Sequence, residues 1–167
     1  RFSRMMREIE EEYSDQVEAF GLDENWIDLS AWNQTLDQGE KIAQEIRTRI
    51  KDELGITVSI GMADNKIMAK LGSDMKKPDA VTVLRRENYP TTAWQLPASD
   101  LLYVGSATKR KLKLIGVNTI GDLALCDARI LHETLGKNGL MLKVFAMGND
   151  PSPVRRINVE TAIKSVG

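Results

Sequence analysis

Asp23 and Glu24 stand side by side in the segment FGLDENWIDLS (20–30), with Asp28 close behind. Hard carboxylate oxygens held near one another suit Mg²⁺, which is bound through one or two carboxylates and keeps room for waters and substrate phosphates. Successive strand residues point to opposite faces, so an Asp-Glu pair can act together only at a bend or a strand end. Gly21, just upstream, can supply such a bend. Phe20, Leu22, Trp26, Ile27 and Leu29 place the pair inside an apolar strand rather than in a loop. On a solvated surface the same dipeptide does no chemistry.

A second set of charges lies in NKIMAKLGSDMKKPDA (65–80), where Lys66, Lys70 and Lys77 fall roughly on one side of a helix. A lysine near a metal-bound carboxylate pair can hold a polyphosphate as a point charge. The alternative is a solvated face whose cations favour the helix C-terminus. A third run, LLYVGSATKRKLKLIGVNTIGDLA (101–124), carries Lys109, Arg110, Lys111 and Lys113 and no acid between Gly105 and Gly116. Its outline is a helix–hairpin–helix, with Ser106 or Thr108 as helix cap. Such a hairpin offers backbone N–H groups to a phosphate. The lone His132 and lone Cys126 have no partners at ligand or catalytic spacing.

The elements that position these residues follow from periodicity. Phe2, Met5, Met6 and Ile9 predict a helix over 1–13, and two short strands around a turn near Gly21 and Asp23 come next. Leu36, Ile42, Ala43, Ile46, Ile50 and Leu54 stripe a helix over 36–54, which Gly55 ends. ITVSIGMA (56–63) reads as a strand. Asp64 caps a helix that Pro78 stops, and AVTVLRR (80–86) is a further strand. The expectation is an α+β layer on a mainly antiparallel sheet over 1–96. ENYPTTAWQLPASD (87–100) is the expected boundary, followed by a small all-helical unit over 97–150 and an extended exit linker over 151–167.

The chain has 167 residues, 42% apolar and 28% charged, which is a globular composition with a single cysteine and no disulfide framework. The single cysteine makes a reducing, cytoplasmic setting the expectation, and no apolar run is long enough for a membrane helix, so no membrane is expected. The opening RFSRMMREIEEEY is neither a signal peptide nor a natural start and reads as a cut into a longer protein. The net charge of −1 conceals an asymmetry: residues 1–63 carry 7 Lys/Arg against 14 Asp/Glu, and residues 64–167 carry 16 against 10. An acidic front and a basic back suggest two surfaces with different partners.

Taken in order, these motifs resemble the Y-family, or translesion, DNA polymerases. FGLDENWIDLS is similar to that family's acidic strand signature, and ITVSIGMADNKIMAKLGSDMKKPDA (56–80) to its next strand and helix. LLYVGSATKRKLKLIGVNTIGDLA resembles its thumb hairpin, and PVRRINVETAIKSVG (153–167) the exit towards a C-terminal DNA-binding domain. The resemblance implies that 1–96 is the C-terminal part of a palm, 97–150 a helix–hairpin–helix thumb and 151–167 a linker. It implies that Asp23 and Glu24 are catalytic ligands of two Mg²⁺ ions, and that Lys77 contacts the nucleotide's triphosphate. Asp74 matches a position near that site. Gly105, Ser106, Thr108, Lys109 and Lys111 would grip DNA backbone. The implied partners are primer–template DNA, a deoxynucleoside triphosphate and, through regions outside this chain, a sliding clamp. The family's first metal-binding aspartate would lie ahead of residue 1, so the fragment alone is expected to be inactive. Position 21 is Gly where the family has Ser, position 25 is Asn where a small apolar residue is common, and Tyr103 replaces the hairpin's first glycine. The competing expectation is a non-catalytic DNA-binding module of polymerase ancestry.

Overall fold

The computed structural model describes residues 1–32 and 35–156. Helix α1 (Phe2–Glu11) leads into a hairpin of β1 (Val17–Phe20) and β2 (Glu24–Ile27), antiparallel with Val17 opposite Ile27 and Phe20 opposite Glu24. Gly21, at φ 72°, opens the three-residue turn between them. Helix α2 (Leu36–Leu54) starts at Thr35, whose side chain accepts from the Gln38 N–H, and stops at Gly55, which is left-handed at φ 69°. Strand β3 (Ile60–Met62), helix α3 (Lys66–Met75) and strand β4 (Val81–Val83) follow, with β3 and β4 parallel.

Three expectations change here. The sheet is not mainly antiparallel: among the described residues there is one antiparallel pair and one parallel pair, each of two strands. Parallel neighbours need a crossover, and α3 is that crossover. The strand expected over 56–63 pairs only at Ile60–Met62. Ile56 and Val58 instead serve packing, against Met6, Ile9, Ile46 and Ile50 where α1 crosses α2. The N-cap of α3 is Asn65, not Asp64; its side chain accepts from the Met68 N–H, and Asp64 is drawn off to Arg86 and Tyr89.

Residues 87–100 are folded as 3-10 turns with Tyr89, Ala93 and Ala98 buried, so this stretch is part of the core rather than an exposed connector. Helices α4 (Ser106–Leu114), α5 (Ile120–Leu125), α6 (Ala128–Leu135) and α7 (Lys137–Ala146) complete the described helices. One apolar core runs from Ile67, Met68 and Leu71 of α3 to Leu142 and Ala146 of α7 without a break at residue 97. The Trp94 indole N–H donates to the Ala146 carbonyl at 3.0 Å, and Arg86 Nη2 donates to the Gly148 carbonyl at 2.7 Å. Residues 151–156 have no regular structure. They run beside β1, where Gln16 donates to the Val154 carbonyl and the Arg155 N–H donates to Glu18. The rest of the expected exit linker, from residue 157 on, lies outside the described residues.

Candidate active site

Two backbones meet to form the site. Gly21 turns the hairpin so that Asp23 lies in the turn and Glu24 is the first residue of β2. The acidic pair therefore sits at a strand end rather than within the strand, and Leu22 points away from the core at 89% exposure. Opposite it, α3 lies directly on β3 because Gly61 and Gly72 have no side chains. A Cβ on Gly61 would stand 1.9 Å from the Ala69 carbonyl oxygen.

That seating brings Lys70 to the hairpin. Its Nζ lies 3.0 Å from Glu24 Oε1 and 2.8 Å from Asp74 Oδ2, one helical turn on. Lys77 Nζ lies 2.8 Å from the other oxygen of Asp74. The result is a line of alternating charge, Glu24–Lys70–Asp74–Lys77. Burial works to raise the Asp74 carboxyl, but its hydrogen bonds to Lys70 and Lys77 prevail and hold it below the usual carboxylate range. Burial likewise works against the Lys70 ammonium, yet Asp74 and Glu24 carry it above the ordinary lysine value. Lys66, grouped with these lysines from the sequence, goes elsewhere. It pairs with Glu18 at 2.8 Å and lies 4.4 Å from the centre of the Trp26 ring.

Asp23, Glu24, Lys70, Ser73 and Lys77 all line one cleft of about 950 Å³ between the hairpin, α2, β3 and α3. Two hard carboxylates open to a cleft, with ammonium groups further along its wall, fit a divalent cation that carries a phosphate chain. Among the described residues no cluster of three potential metal-binding side chains occurs, so the pair is a partial donor set.

The basic residues form a separate surface. Gly105, Ser106, Lys109 and Lys111 are exposed and Thr108 is half-buried; none of the five lines the cleft. The cap of α4 is Gly105 itself, not Ser106 or Thr108, which are already inside the first turn. Glycine has no side chain to satisfy the first-turn N–H groups, so these amides have no side-chain cap. The preceding element is a 3-10 turn, Ala98–Asp100, rather than a helix ending at Tyr103, and Tyr103 itself adopts φ 73°.

The model of the impB/mucB/samB family matches residues 1–74. The chain is 53% identical over 167 residues to "DNA polymerase IV" of Acetivibrio thermocellus, covering all of this chain and 42% of that protein. It is 41% identical over 152 residues to "DNA polymerase IV 1" of Bacillus subtilis, covering 91% of this chain and 36% of that one. Among solved structures, a Y-family DNA polymerase chimera of Dbh and Dpo4 superposes with a TM-score of 0.84 at 26% identity, over 94% of this chain and 46% of the other. Along nearly its whole length the chain is similar to Y-family DNA polymerases. An insertion ternary complex of Dbh DNA polymerase superposes with a TM-score of 0.82 at 26% identity, over 92% of this chain and 45% of that one. The chain spans less than half the length of the curated relatives named here.

The stretch that matches the family model contains Asp23, Glu24, Lys70 and Asp74 and ends before Lys77. Lys70 is the site residue that sequence reasoning placed on the right face without finding its partner. The available signal was local, since Lys70 and Asp74 are four apart on α3, the spacing of a helical ion pair. The contact to Glu24 spans 46 residues and needs the fold. Glu10 was missed as well. It is 6% exposed on α1, lines the same cleft and accepts from the Asn25 amide at 2.8 Å.

Proposed function

We propose that this chain is the C-terminal part of a palm, residues 1–96, and a small helical thumb, residues 97–150, of a lesion-bypass DNA-directed DNA polymerase. Residues 151–167 would lead towards a further DNA-binding domain. The observation that carries the reading is the cleft, where two adjacent carboxylates at a strand end share one wall with Lys70 of α3 and Lys77 just beyond that helix.

In this reading Asp23 and Glu24 are the groups of this chain that hold Mg²⁺. When bound, such ions stabilise the charge that develops on the attacking and leaving oxygens of an in-line displacement. Lys77, 56% exposed along its side chain, is free enough to leave Asp74 and contact the triphosphate of an incoming deoxynucleotide. The uncapped amides after Gly105 take a DNA phosphate, with Ser106, Thr108, Lys109 and Lys111 around it. Backbone contacts of this kind position the duplex without reading its sequence, as a lesion-tolerant polymerase requires.

The test uses the parent protein, of which this chain is one part. Asp23→Ala or Glu24→Ala should lower nucleotide incorporation by several orders of magnitude with primer–template affinity almost unchanged, because the carboxylates act on the transition state. Lys77→Ala should mainly raise KM for the nucleotide. Near-normal turnover in Asp23→Ala would favour a non-catalytic DNA-binding module of polymerase ancestry. The chain by itself, with two of the three carboxylates that the family resemblance implies, should extend no primer in the same assay.

A further inference from the structure

Lys70 occupies a place that a metal site does not ordinarily give to a cation. Its ammonium sits on Glu24 Oε1, the carboxylate assigned above to a divalent ion, and its side chain is 16% exposed. It has a second seat, Asp74, already at 2.8 Å and on the same helix, so it can leave Glu24 without losing an ionic partner. Glu24 is 40% exposed and faces the cleft, so exchanging one cation for another on it has a low desolvation cost.

The arrangement makes electrostatic sense in the absence of metal. Asp23 and Glu24 bring two negative charges to the cleft, and Lys70, which also lines it, is the cation placed between Glu24 and Asp74. It holds the hairpin to α3 while the site is empty of metal. A dication engaging Asp23 and Glu24 together outbids a single ammonium, and the ammonium then sits on Asp74 alone.

We propose that Lys70 is a placeholder counter-ion: a positioning residue that keeps Glu24 facing the cleft until a divalent cation displaces it onto Asp74. This rests on the reading of Asp23 and Glu24 as metal-holding groups. It assigns a competition within the chain that sets how tightly the ion is bound.

The experiment titrates Mn²⁺ into the 167-residue chain at low ionic strength and follows the electron paramagnetic resonance signal of free Mn²⁺, with far-UV circular dichroism as the fold control. Lys70→Met should bind Mn²⁺ about three- to tenfold more tightly, because a competing positive charge a few ångströms away is gone. Asp74→Asn should bind it more weakly, because Lys70 then has Glu24 as its one carboxylate partner. Lys70→Arg should stay near the unsubstituted chain. The opposite signs are decisive, since a residue that merely braced α3 would weaken binding in both variants. Weaker or unchanged binding in Lys70→Met, with Glu24→Gln still abolishing it, overturns the placeholder role alone. Binding that ignores Glu24→Gln, or that is absent from every variant, overturns the metal reading of the site and this inference with it.

Discussion

Glu10 shows what burial does to a single carboxyl in this fold. Desolvation raises its pKa to about 7, against the opposing hydrogen bond from Asn25 and the nearby charge of Arg7. A carboxyl raised in the folded state binds more protons there than in the unfolded chain between pH 4.5 and about 7. Stability is therefore greatest below the unfolded value and falls as pH rises through that window. At pH 8 the ionised group costs roughly 3 kcal/mol, an order-of-magnitude figure from the size of the shift. Glu10→Gln keeps an acceptor for Asn25 and removes the titration. The substituted chain should be the more stable one at pH 8 and should lose the decline between pH 5 and 8, as urea unfolding at several pH values would measure. An unchanged pH profile would place Glu10 in a wetter site than its 6% exposure describes.

Among the elements, α3 carries most of the site, and its position depends on one glycine. The Cβ of Gly61→Ala would meet three backbone atoms of α3 within 2.8 Å, none of which can yield as a side chain would. The helix must lift from β3, taking Lys70 away from Glu24. The expected loss is more than about 3 kcal/mol, in the range of severe overpacking, read as a lowered midpoint in thermal or urea unfolding. The contrast with Gly21 and Gly55, where a Cβ meets nothing within 4 Å, shows that the constraint here is space rather than φ. Legibility in the sequence follows the same division between local and distant causes. Helix α2 was readable because its stripe and its Gly55 stop are both local. The extent of β3 was not, because Ile56 and Val58 are apolar for packing against α1 and α2, and periodicity records burial rather than pairing. The parallel sense of β3 and β4 was equally hidden, since it depends on how α3 crosses back. Asp23 and Glu24 were legible as a pair, but their exact seat at the end of β2 depended on the turn that Gly21 opens.

At the scale of the whole molecule, the basic helices and the α+β half share one core, from Ile67 to Ala146. Trp94 and Arg86 tie the end of α7 back to earlier elements. Residues 97–150 are therefore best tested for DNA binding within the full chain rather than excised from it. The net charge of −1 works against strong binding, since the acidic half repels the phosphates that the basic half would attract. Affinity for duplex DNA should be micromolar or weaker at physiological salt, as is usual for non-specific contacts. Scrambled duplexes should compete equally, because contacts to the backbone carry no sequence information. Each neutralised phosphate contributes about −0.9 to the slope of log K against log salt, so two to four contacts predict a slope of roughly −2 to −4. Lys109→Ala combined with Lys111→Ala should flatten that slope by about 1 to 2 if both side chains reach phosphates. Both side chains are exposed, so the double variant should fold normally and isolate the electrostatic contribution. Fluorescence anisotropy across a salt series measures all of this. A slope that the double substitution leaves untouched would move the DNA-binding surface away from α4 and leave Asp23 and Glu24 with a different route to their substrate.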